Sequence, residues 1–326
     1  MRIASLSTPR FTASACCLAA AITVSCQAAQ AGLIHQYTFN SSYISNGITY
    51  STDSIGGNQY SAQLVNGATV SSGQAILTNN NIISGAANVN YVSIPVAALP
   101  TTSSSLTLEE WFTGTPDYKS GSSGSYYAQN RGFDFNNDTL SSTTSENTTP
   151  GQYNGEYFYQ SLNNGGGTSA TGISAAGWGH ESHINANAGG SLTKLPPTQH
   201  MIAMVIDASA STYGTLYYYL DGNLVGSVAV SQTNRWTTVS PAFTQAWLGR
   251  SAFSGDGVLN GSINEFDIYN NALSATQIQS AFTAGPVPTP VPAAGLLTAV
   301  GAVGLLAWNQ VRAKSRMRRL RLSAPA

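Results

Sequence analysis

The sequence predicts an all-β sandwich or barrel followed by one C-terminal transmembrane helix. Three observations carry this expectation. From residue 32 to about 285, short runs of β-branched and aromatic residues recur between Gly, Asn, Ser and Pro, the pattern of strands laid into sheets. Helical periodicity is almost absent before residue 270. Beyond the block, the apolar run Ala293 to Trp308 is followed by six cations within ten residues, Arg312 to Arg321.

The first segment reads as an export signal. Arg2 and Arg10 precede an uncharged stretch, Phe11 to Val24, and then small residues ending Ala29-Gln30-Ala31. A charged n-region, an apolar h-region and an A-x-A site predict removal of residues 1–31, with cleavage between Ala31 and Gly32. Cys26 offers a lipoprotein alternative, although Thr23-Val24-Ser25 is a poor approach to a lipidated cysteine.

Residues 32–285 form one block, a length that a single β-sandwich can reach. Leu33 to Phe39, Tyr91 to Ile94 and Leu106 to Phe112 read as strands. The clearest hairpin runs from Leu216-Tyr217-Tyr218-Tyr219-Leu220 through Asp221-Gly222-Asn223 into Leu224 to Val228. Asp-Gly tolerates the positive φ angles that a tight turn needs. Between Thr113 and Lys194, Gly/Ser/Asn clusters separate the aromatic islands Tyr126-Tyr127, Phe133 to Phe135, Tyr157 to Tyr159 and Trp178. Short strands with long loops are expected there, and loops on a rigid scaffold commonly carry recognition. Near the end of the block, Ser274-Ala275-Thr276-Gln277 fits a capping box. Leu273 and Ile278 form its hydrophobic staple, and Ile278 shares a face with Phe282.

The Pro-rich stretch 286–292 leads into the apolar run. Sixteen helical residues reach roughly 24 Å against a ~30 Å hydrocarbon core; extension to residue 311 with snorkelling basic side chains closes the gap. The expected membrane helix is therefore 293–311, with residues 312–326 held in the cytoplasm by their charge. The body would lie outside the cytoplasm, at the cell surface or in an extracellular matrix.

All three cysteines (Cys16, Cys17 and Cys26) precede Gly32, so the mature form has neither disulfides nor thiol chemistry. The body holds five cations against fourteen carboxylates, a net −9. That balance argues against nucleic acid, whose phosphates demand cationic surface. It suits neutral glycans or divalent cations.

Four stretches resemble the laminin-G-like, concanavalin A-like jelly-roll family. They are Leu33 to Phe39 with Leu64 to Ala68, Leu106 to Trp111, His200 to Asp207 with the Tyr-rich hairpin, and Leu248-Gly249-Arg250 with Leu259 to Asn270 and Leu273-Ser274. The resemblance implies a two-sheet antiparallel jelly-roll sandwich. The tail is similar to the PEP-CTERM class of sorting signals, which address exported proteins to an exosortase. Its motif residues would be Val287, Pro288, Thr289, Pro290, Val291 and Pro292. Thr289 departs from that family's Val-Pro-Glu-Pro, and Thr289 to Ala294 is nearer its V-P-x-P-A-A variant.

Glu265-Phe266-Asp267 invites an enzyme reading, because some glycoside hydrolases on this fold carry E-x-D-x-E or E-x-D-x-x-E on one strand face. Here Tyr269 or Asn270 stands where the last carboxylate is required, and glycoside hydrolysis needs a pair. His180-Glu181-Ser182-His183 places metal donors close together, but its Gly-rich flank reads as a solvated loop. His35 and His200 sit beside strands and read as structural. Members of the fold often hold calcium at a loop rim; Asp207 and Asp256 are the candidates here, and calcium accepts such oxygen ligands. No catalytic residue is assigned. The sequence thus predicts an exported, surface-anchored, non-catalytic module recognising extracellular glycans or matrix proteins. Its partners would be that ligand, an exosortase-type enzyme and the membrane. A glycoside hydrolase with dispersed carboxylates and a purely structural coat protein are the alternatives.

Overall fold

A computed structural model describes residues 32–79, 84–116, 130–137, 155–164, 168–174, 180–185, 198–252 and 256–287. The segments expected to be the signal (1–31), the rest of the sorting motif (288–292), the membrane helix (293–311) and the cytoplasmic tail (312–326) lie outside them. Among the described residues no helix is long and apolar enough to cross a membrane.

Among the described residues two antiparallel sheets form the body. The first has eight strands: β1 (Leu33–Tyr37), β5 (Thr69–Ser71), β6 (Gln74–Leu77), β8 (Leu106–Pro116), β13 (Gln199–Asp207), β14 (Thr215–Leu220), β15 (Asn223–Ala229) and β17 (Leu259–Tyr269). They run in the order β15-β14-β13-β8-β17-β6-β5, with β1 also on β17. The second has nine: β2 (Ser42–Ser45), β3 (Ile48–Ser51), β4 (Ala62–Val65), β7 (Tyr91–Ser93), β9 (Asn130–Asn136), β10 (Tyr157–Asn164), β11 (Thr168–Ser174), β12 (Ser182–Asn185) and β16 (Gln245–Leu248). Their order is β12-β11-β10-β9-β16-β7-β4-β3-β2. The antiparallel two-sheet sandwich expected from the sequence is what the chain forms.

Strand alternation builds the core between the sheets. Leu106, Leu108 and Phe112 of β8, Ile263, Phe266 and Ile268 of β17, and Phe133, Phe135 and Phe158 from the other sheet share one buried cluster. Their rings pack edge-on, as aromatic quadrupoles favour: Phe133 stands 5.3 Å from Phe158 and Phe135 6.3 Å from Phe266. The hairpin closes as expected. Asp221 (φ 49°) and Gly222 (φ 76°) form a two-residue turn, pairing Leu220 with Asn223.

The eight-stranded sheet also buries its outer face. Helix α1 (Trp236–Val239) is one turn; helix α2 (Ala275–Ala284) begins with the expected reciprocal capping box between Ser274 and Gln277. α2 seats Ile278 among Trp111, Met201, Ala203 and Leu273. Phe282 stacks on Trp111 at 5.9 Å and 7°. Burying Ile278 fully is worth about 1.5–3 kcal/mol, so α2 is held by packing as well as by its cap.

Candidate functional site

The outer face of the nine-stranded sheet carries the candidate site. Across hydrogen-bonded neighbours, Tyr43, Tyr50, Gln63, Ser93, Trp247, Asp134, Tyr159, Gly172 and His183 stand in register. Their alternate neighbours Leu64, Val92, Leu248, Phe133 and Phe158 face the core, so the row faces away from it. Nine strands about 4.8 Å apart give a stripe about 38 Å long, perpendicular to the strands.

One half of the stripe is open. Tyr43, 38% exposed, stacks on half-buried Tyr50 at 5.5 Å and 21°. Gln63 and Ser93 are also half-buried. Next along, Trp247 packs edge-on to Tyr91 at 5.6 Å. The guanidinium of Arg250 lies 4.7 Å from the Tyr91 ring centre and 4.8 Å from that of Trp247. Arg250 donates from Nε and Nη2 to the carbonyl of Ser84 at 3.2 and 3.0 Å.

The other half is a sealed polar network. Arg131 lies 3.8 Å over the Tyr159 ring and pairs with Asp256 at 2.7 Å. Asp256 also accepts from Ser251 Oγ at 2.6 Å, and Asp134 accepts from the backbone N–H of Ala252 at 3.0 Å. Burial pushes both carboxyls up against the pull of Arg131, Asp134 to about 6. Tyr157 donates its hydroxyl to Glu181. Burial lowers the His183 pKa, with nearby Glu181 opposing. Gly172 makes room in this half: a Cβ there would stand 3.1 Å from the Tyr159 ring.

The residues singled out from the sequence distribute differently from expectation. His180 to His183 is not simply a solvated loop: Ser182 and His183 belong to β12, at the end of the stripe. Asp256 is 1% exposed, engaged by Arg131 and Ser251. Asp207 accepts from the N–H and Oγ of Ser209 at a strand end. Among the described residues no three His, Cys, Asp or Glu are grouped to hold a metal ion. His35 and His200 are structural as expected, bonded to Asp53 at 2.5 Å and Asp221 at 2.8 Å. Tyr126, Tyr127 and Trp178 lie outside the described residues.

Glu265 and Asp267 share one strand face, as alternation predicts, and β8 adds Glu109 opposite Asp267. All three lie on the outer face of the eight-stranded sheet and are at most 4% exposed. Tyr269 donates to Glu109, while Gln36 and the N–H of Val287 donate to Glu265. Burial raises all three carboxyls, Glu109 to about 8. This trio is closed over by its own chain.

A model of the concanavalin A-like lectin/glucanases superfamily matches residues 86–279. Among solved structures, domain 4 of AbnA, an extracellular arabinanase from Geobacillus stearothermophilus in complex with arabinotriose, is 15% identical. That alignment covers 77% of this chain and 98% of that one, with a TM-score of 0.47. The CBM40 of the Ruminococcus gnavus IT-sialidase is 12% identical over 55% of this chain and 83% of its own, at 0.39. The binding domain of botulinum neurotoxin DC in complex with SialylT is 11% identical over 78% and 52%, at 0.42. No curated protein matches the chain.

Proposed function

Because the chain belongs to the concanavalin A-like lectin/glucanases superfamily, we propose that it is a non-catalytic module binding an extended glycan across its nine-stranded sheet. The observation that supports this reading is the lateral stripe from Tyr43 to His183. Aromatic rings offer flat apolar surface with polar tips, which suits the C–H faces and hydroxyls of sugar rings. Gln63, Ser93 and Arg250 add hydrogen-bonding groups beside the open rings. The open half from Tyr43 to Trp247 crosses five strands, about 19 Å, which fits a chain rather than a single sugar.

Export, anchoring by residues 293–311 and delivery to an exosortase-type enzyme through residues 287–292 form the second part of the proposal. They rest on the sequence pattern alone.

The test is the purified full-length chain on a panel of polysaccharides, with calcium and with chelator. Saturable binding without reducing-end release, weakened severalfold by Tyr43→Ala or Tyr50→Ala, is the expected result. Binding untouched by either substitution would move the site elsewhere. The hydrolase alternative draws on Glu265, Asp267 and the added Glu109; sugar release abolished by Glu265→Gln would establish it. Calcium at Asp207 or Asp256 would appear as chelator-sensitive binding. A coat protein would bind no glycan at all.

A further inference from the structure

We propose that the glycan carries carboxylates, and that Arg250 is the residue that reads them; the inference rests on the glycan-binding reading above. Cations are scarce in this body. Five stand among residues 32–285, and two of them, Arg131 and Arg250, belong to this one face. Their situations differ. Arg131 is 2% exposed and faces two carboxylates, Asp134 and Asp256. Arg250 is half-exposed, and among the described residues no carboxylate lies within 4.0 Å of its guanidinium.

Arg250 is nevertheless held in place. Tyr91 and Trp247 both approach its guanidinium, and its Nε and one Nη2 hydrogen converge on the Ser84 carbonyl. A guanidinium has five N–H donors. The three that remain include one on Nη2 and the Nη1 hydrogen facing it, the pair that takes a carboxylate by two parallel bonds. Cation–aromatic contacts fix the plane of the fork before a ligand arrives, so little rotamer freedom remains to be lost on binding.

The sugar class follows from the neighbours. Half-buried Tyr91, packed against Trp247, stands directly beside the fork. A pyranose laid on this ring brings a ring-attached carboxylate within reach of Arg250, which is the chemistry of a uronic or similarly carboxylated sugar. A neutral sugar would leave the cation without a counter-charge, in a body whose net charge is −9.

The experiment uses the full-length chain with oligogalacturonate, oligomannuronate and hyaluronan fragments, each beside its carboxyl-reduced counterpart. Titration calorimetry should show at least one acid binding on the order of tenfold tighter than its reduced form, with the advantage shrinking as salt rises. Arg250→Gln should erase that advantage, leaving the acid and its reduced form bound with equal affinity. Arg250→Lys keeps the charge but not the fork, and should retain part of it. Thermal melts of both variants report folding. Equal affinity for acid and reduced forms would overturn the inference and leave the glycan reading standing. So would an Arg250→Gln variant that weakens both forms alike. Failure of every glycan in the acid and neutral panels would overturn both readings.

Discussion

Arg131 and Asp256 form a buried ion pair, Nη2 to Oδ2 at 2.7 Å, with the two side chains 2% and 1% exposed. Removing one member of such a pair strands the other charge away from water, which costs about 3–5 kcal/mol. Asp256→Ala should therefore lower stability by that order in urea or thermal unfolding. Asp256→Asn, which keeps a hydrogen-bond acceptor for Arg131, should cost less. A calcium role for Asp256 would instead make the wild type, and not the variant, gain thermal stability on calcium addition.

Glu110 is the opposite case, a carboxyl inside the core with no hydrogen-bond partner among the described residues. It is 1% exposed, and burial pushes its pKa to about 8. The folded state binds the Glu110 proton more tightly than the unfolded state. Its stabilising share is complete below the ordinary value of 4.5 and is lost as pH rises towards about 8. Glu110→Gln should thus exceed wild type in stability above pH 8, by about 1–4 kcal/mol, with the difference shrinking as the solution is acidified. Denaturant midpoints measured across that pH range check it; parallel profiles would refute the assignment.

Local features were legible in the sequence because they are settled by neighbours in the chain. The Asp221-Gly222 turn, the capping box of Ser274 with Gln277 and the strand at Leu106 are of this kind. Glu265 and Asp267 were legible as a pair on one face, since alternation along one strand suffices. Glu109 was not, because it joins them only through the pairing of β8 with β17. The stripe from Tyr43 to His183 needs the registers of nine strands at once. Alternation separates Phe158 from Tyr157 and Tyr159, but only the packing of the other sheet decides which side is core. Arg131 shows the limit most clearly. Strict alternation with Phe133 and Phe135 would aim it into the core. Ser161 pairs with Arg131 and Gln160 with Phe133, leaving Gly132 as an extra residue. This bulge turns Arg131 to the outer face beside Tyr159.

Acid should act through a different pair. His35 Nδ1 lies 2.5 Å from Asp53 Oδ2, while the N–H groups of Gln36, Ile55 and Gly56 reach Asp53 Oδ1. Burial alone would raise the Asp53 pKa; the His35 bond and the three backbone donors outweigh it and hold it below 3.8. A lowered carboxyl stabilises the fold above its unfolded pKa and loses that contribution as pH falls through the folded value. Asp53→Asn should therefore be less stable than wild type at neutral pH. The gap should close in strong acid, below the aspartate range. Circular dichroism melts at descending pH would show the two curves converging; a constant gap would mean that Asp53 acts by packing alone.

Helix α2 offers a separable test of capping against packing. Ser274 Oγ accepts the N–H of Gln277 at 3.3 Å, and Gln277 Oε1 accepts the N–H of Ser274 at 2.9 Å. Ser274→Ala removes the first bond and should cost about 1 kcal/mol. Phe282 lies near the C-terminal end of the helix, in a parallel stack on Trp111. Phe282→Ala deletes that ring from a partly buried site, so its cost should equal or exceed that of the cap, about 1–3 kcal/mol. The two changes differ in what they expose. Trp111 is 6% exposed in the intact fold; removing Phe282 uncovers one face of its indole, whereas removing the cap leaves the stack in place. Native-state tryptophan emission should therefore shift to the red in Phe282→Ala and stay fixed in Ser274→Ala. Five tryptophans contribute to the signal, so the comparison is made as a difference spectrum against wild type. A red shift in the cap variant would mean that α2 lifts from the sheet as a unit once its first turn frays.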